Sequence, residues 1–157
     1  MKFTLVKNIQ TNSVMSLILK GFLVFVLLYL ISNILVMDSS FGISVESVST
    51  TLFGNEDEYI DPITESTFLE FWHTEIFFIM MILFTISAIF IRVSKRSRMI
   101  LTNLLMVSAL LSLIALPLAY YISDFFVNVY VFAFFSWHAM ATYIILYSFW
   151  KLNAKSI

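Results

Sequence analysis

The residues of this sequence that could carry chemistry stand inside apolar runs, where a charge is hardest to accommodate: Glu70, His73 and Glu75 in one run, and His138 in another. In the segment Glu70-Phe71-Trp72-His73 a carboxylate and an imidazole are three residues apart, which puts both on one face of a helix, as in di-iron bundles. A di-iron centre needs a second such motif and further carboxylates from other helices, and this sequence supplies neither. A mononuclear copper or zinc site from Glu70, His73 and Glu75 is the smaller version, although Glu75 is five residues from Glu70 and faces elsewhere on a helix. The chain has no cysteine, which excludes disulfides, iron–sulfur clusters, covalent haem attachment and thiol nucleophiles. Its two histidines suggest a sharper hypothesis, a b-type haem held by His73 and His138. The plainer role for His138 is a single hydrogen bond between helices, with Thr142 or Ser136 as local partners.

The elements that must position these groups are membrane helices. Apolar residues make up 61% of the 157 positions and charged residues 12%, well outside the soluble average. Apolar runs cover about 17–37, 68–91, 99–122 and 125–150, and they are apolar on all sides, so the alternation of a barrel strand is missing. The last three have 24 to 26 residues, or about 36–39 Å as helix, enough to cross a hydrocarbon core of roughly 30 Å with some tilt. Nearly twenty residues precede the uncharged part of the first run, which begins at about Gly21, and no small-x-small cleavage signature follows it, so it reads as a retained helix. The expectation is an all-α, integral membrane four-helix bundle forming a single domain over residues 1–157.

Charge gives the orientation. The nine basic residues are Lys2, Lys7 and Lys20 before or at the first run; Arg92, Lys95, Arg96 and Arg98 between the second and third; and Lys151 and Lys155 after the fourth. The acids fall at the other side: Asp38 through Glu75, and Asp124 in the second short connection. The positive-inside rule then predicts up-down topology with both termini cytoplasmic and an acidic extracytoplasmic loop over residues 38–67, in a bacterial inner membrane. Within that loop, Ser44 reads as the N-cap of a short interfacial helix ending at Phe53, with Gly54 just beyond it. The run 55–59 reads as a charged, solvated turn without the spacing of a calcium loop, and its charge also suits a basic soluble partner.

Depth then ranks the histidines. His73 lies nineteen residues from Arg92, about 28 Å along a helix and so near the headgroups, with Glu75 two residues deeper; both are expected to face interfacial water. His138 lies thirteen residues from Lys151, about 20 Å in, where it must point into the bundle. The two imidazoles are therefore offset by about 9 Å in depth, an awkward geometry for a bis-histidine haem. In the third run Ser108, Ser112, Ala115 and Ala119 recur at spacings of 4, 3 and 4, a stripe of small residues on which a partner helix can pack closely. Transport has little support here, since no carboxylate is expected beside His138 and no inverted repeat is evident. Nucleotide and nucleic-acid motifs are missing. The reading is a small multi-pass inner-membrane protein, a non-catalytic accessory or assembly subunit packing against a larger membrane partner or a second copy of itself. The alternative is a haem b electron-transfer subunit using His73, His138 or both.

Overall fold

The computed structural model describes residues 13–94 and 99–154. Lys2, Lys7, Lys95, Arg96, Arg98 and Lys155, on which part of the charge argument rests, lie outside the described residues. The described chain forms five helices: α1 (Ser13–Ser40), α2 (Val45–Phe53), α3 (Glu65–Val93), α4 (Met99–Tyr121) and α5 (Phe125–Asn153). All but α2 are long and apolar enough to cross a membrane. α1 and α3 run beyond their apolar stretches at both ends, because the polar residues there can solvate the first and last turns in the headgroup layer. Asp38 is consequently in the last turn of α1 and not in the loop.

Two buried clusters fix the directions of the helices. One gathers Leu23 and Leu30 of α1, Ile86, Phe90 and Val93 of α3, Leu105 of α4, and Ile144 and Leu152 of α5. The other gathers Met37, Phe68, Ala115, Ala119, Val127 and Phe134 with Phe41, Val48 and Leu52 of the loop. The start of α1 thus lies with the end of α3, the start of α4 and the end of α5, which is up-down order. Lys20, Arg92 and Lys151 share one end of the bundle, called here the basic end, and residues 41–64 cover the other, the loop end.

α5 is the central element, in contact with each of the other four helices and most extensively with α4. The turn Ile122–Asp124 joins those two so tightly that they must be antiparallel neighbours. Ser112, Ala115 and Ala119 are buried, and the two alanines pack with Val127, Tyr130 and Phe134 of α5; Ser108 is half-buried and bonds the Leu105 carbonyl. Short side chains let the α4 and α5 backbones approach while the large rings of α5 fill the space alongside.

Pro117 lies inside α4 and has no N–H to give the Leu113 carbonyl four residues earlier. An unbonded carbonyl in hydrocarbon costs free energy, and a neighbouring helix supplies the donor: the indole N–H of Trp72 on α3 donates to Leu113 O at 2.8 Å.

The loop is ordered by capping and by backbone conformations that suit glycine. Ser44 and Ser47 exchange hydrogen bonds in a capping box that starts α2. Gly42 has φ +90°, and a β-carbon there would collide with Ser47, so the turn feeding the cap excludes larger residues. Val48 and Leu52 anchor α2 to the bundle, Phe41 stacks on Phe71, and Phe68 stacks on Tyr120, giving the loop end an aromatic cover. The 55–60 turn projects beyond it, with Tyr59 almost fully exposed.

Two substitutions test this packing. Ala115→Leu should destabilise the detergent-solubilised protein by about 1–3 kcal/mol through overpacking, while Leu111→Ala on the exposed side of α4 should change stability by less than about 0.5 kcal/mol. Equal effects in a thermal melt would mean that α4 packs through another face. Trp72→Phe should lower the melting temperature by the equivalent of about 1 kcal/mol, and Pro117→Ala, which restores the N–H to Leu113, should make the Trp72 change nearly neutral.

Candidate functional site

Between the two apolar clusters lies a polar layer built from three helices. His138, on the inward face of α5, is 3% exposed. Its Nδ1 lies 2.8 Å from the carbonyl oxygen of Phe134, one turn earlier on the same helix, and its Nε2 lies 3.1 Å from Oδ1 of Asn33 on α1. Asn33, 7% exposed, also places Nδ2 at 3.2 Å from Oε1 of Glu75 on α3 and 3.4 Å from the hydroxyl of Tyr29, one turn earlier on α1. The His138 ring packs between Phe134 and Trp137, with ring centroids 4.2 and 3.8 Å away. One amide therefore joins an imidazole on α5 to a carboxylate on α3.

This arrangement changes three sequence expectations. His138 takes its partner from α1 and not from Thr142 or Ser136; Ser136 bonds the Phe132 carbonyl on its own helix. Glu75 turns inward and is half-buried, where interfacial water was expected. The reason is that α1 brings an amide donor to the depth of Glu75, so the carboxylate finds a partner within the protein. His138 consequently has a carboxylate two hydrogen bonds away, where the sequence led to the expectation of none.

The proposed metal and haem ligands are not brought together. Glu70 and His73 are exposed on α3, while Glu75, two residues beyond His73 and about 200° further round the helix, faces the interior. No group of three His, Asp or Glu residues is close enough to hold a metal ion among the described residues. A haem iron would have to take Nε2 of His138, since Nδ1 is bonded to a carbonyl, and Nε2 faces Asn33 at 3.1 Å instead. His73 is exposed on α3, while His138 is buried on α5.

Asn33 and Tyr29 are uncharged at neutral pH, so the cost of burying a charge does not single them out in the sequence. A signal was available. Asn33 is the one carboxamide in its apolar run, and Tyr29, four residues earlier, shares its helical face. A surface groove of about 380 Å³ lies apart from this layer, at the loop end, bordered by Asp38, Glu46, Glu58, Ser44, Ser47 and Thr50.

Four apolar spans in up-down order, a capped loop and a polar layer between apolar halves define a multi-pass helical membrane protein. The chain belongs to the Aq_1264_TM family, described as a transmembrane helical domain, which matches residues 42–156 and so takes in α2 to α5 while leaving α1 outside. No curated protein and no solved structure matches it.

Asn33→Leu keeps the approximate size of the side chain but strips His138 Nε2 and Glu75 of their shared partner. It should destabilise the protein by about 1–3 kcal/mol, against less than about 0.5 kcal/mol for the same change at exposed Asn103 on α4. Comparable melting temperatures for the two variants would remove the amide from its central position.

Proposed function

We propose that this chain is a non-catalytic inner-membrane subunit that packs against a larger membrane partner or a second copy of itself, with its loop end outside the cytoplasm. The observation that carries this reading is the use made of the interior polar groups: Tyr29, Asn33, Glu75 and His138 are bonded to one another across α1, α3 and α5. Such bonds join helices, and they engage the groups that a reaction would otherwise use. The orientation is supported by Lys20, Arg92 and Lys151 at one end and by the acidic loop residues at the other.

The surface offered to a partner is α1. It is the least buried of the four spans, as α5 is the most, and Leu17, Phe25 and Leu35 are among its most exposed apolar residues. Lipid covers such a face adequately, so a protein partner must win by close packing and shape. The haem alternative would require Nε2 of His138, which faces Asn33.

Native mass spectrometry in mild detergent, on protein taken from its own membranes at its natural level, tests this reading. The expected result is a stoichiometric complex, with a second copy or one defined membrane protein, that is lost in Leu17→Ala/Phe25→Ala/Leu35→Ala while the isolated chain still melts cooperatively. A monomer in every preparation, or a haem spectrum in the reduced protein, would overturn it.

A further inference from the structure

The line from Glu75 through Asn33 to His138 contains a proton-counting constraint. The Phe134 carbonyl can only accept, so Nδ1 of His138, 2.8 Å away, carries a hydrogen. Nε2 then faces one end of the Asn33 amide at 3.1 Å, and the other end faces Glu75 Oε1 at 3.2 Å. A primary amide has a donor end and an acceptor end, and its hydrogen-bond partners decide which way it points.

With the amide oxygen toward the ring, Nε2 must also carry a hydrogen, and the resulting imidazolium is balanced by a Glu75 carboxylate that accepts from the amide nitrogen. With the amide nitrogen toward the ring, a neutral Nε2 accepts from it, and the amide oxygen then faces Glu75, whose carboxyl must carry the hydrogen. Each arrangement holds one proton, and each leaves the pair neutral overall. With no proton, an acceptor meets an acceptor at one of the two contacts whichever way the amide points. With two, an imidazolium is buried with no counter-charge.

The geometry points to a proton-binding site within the membrane, in which Glu75 and His138 hold a single hydrogen ion between them through the Asn33 amide. The other titratable groups facing it are Tyr29 on α1, whose hydroxyl can accept from or donate to the amide as it turns, and Tyr130 on α5, within electrostatic reach of Glu75. The tyrosines of α4, Tyr120 and Tyr121, bond Ile63 and Glu65 at the loop end. The site does not depend on whether the chain has a protein partner.

The chain has two histidines, so His73→Gln leaves His138 as the only imidazole, and the exposed position of His73 keeps the layer intact. Nitrogen-15 NMR of this variant in detergent, with labelled histidine, reads the protonation of each ring nitrogen as pH is varied. Infrared difference spectra against Glu75→Gln read the carboxyl. The expected result at neutral pH is a hydrogen on Nδ1 throughout and matching fractions of imidazolium and Glu75 carboxylate. Asn33→Leu should uncouple the two, so that each titrates without the other. In Glu75→Gln, whose amide can present either end, the ring should stay neutral with its hydrogen on Nδ1. A neutral ring beside a fully ionised carboxylate in the folded protein, or a neutral ring with its hydrogen on Nε2, would overturn the site. The measurement on His73→Gln decides this even if the Asn33 and Glu75 variants fail to fold.

Discussion

A hydrocarbon solvent offers no hydrogen bonds, and that constraint organises most of what is polar in this protein. The Leu113 carbonyl, deprived of its helical donor by Pro117, is met by the Trp72 indole. The hydroxyls of Thr74, Thr85 and Ser136 bond carbonyls four residues back on their own helices. The imidazole, amide and carboxylate that cannot be satisfied within one helix are gathered into one layer across three. Ser87, Trp137 and Ser148 are the exceptions among the described residues, each with a buried polar atom that has no bond. Trp137 and Ser148 are fully buried in α5, the helix in contact with all the others, so close packing outweighs polarity at those positions.

What was legible in the sequence follows from the same constraint. Four spans could be read from apolar run length because hydrocarbon thickness fixes how long a run must be. The loop helix could be read because Ser44 and Gly54 are residues with a backbone role. The inward turn of Glu75 could not be read from α3 alone. Depth along that helix put it near the interface, and only the position of α1 brings Asn33 to the same level. Sequence gives depth along each helix well, but it gives rotation and sliding between helices poorly, and a hydrogen bond between α1 and α3 depends on both.

Having one amide serve two helices also explains why the loop end is covered so thoroughly. Water reaching Asn33 or Glu75 would compete for both hydrogen bonds. On the loop side of the layer lie Met37, Phe41, Val48, Leu52 and Phe68, with Phe71 stacked on Phe41 and Tyr120 on Phe68. This cover depends on α2 being held in place, which depends on the Ser44–Ser47 capping box and on the Thr51 hydroxyl bonded to the Phe41 carbonyl. A short helix outside the membrane thus helps to set the dielectric around a carboxylate within it.

The division of this layer between the matched region and α1 bears on its role. Glu75 and His138 lie in the part of the chain that matches the transmembrane family, and Asn33 and Tyr29 lie in the helix outside the match. α1 is also the least buried of the spans, so the contacts that hold it are few and each counts for more. An amide suits this position better than a charge or a hydroxyl. It carries a donor and an acceptor on one rigid plane, bonds a carboxylate and an imidazole together, and adds no charge of its own to be buried. The helix with the least packing is therefore attached through the side chain with the most complete hydrogen-bonding capacity in its apolar run.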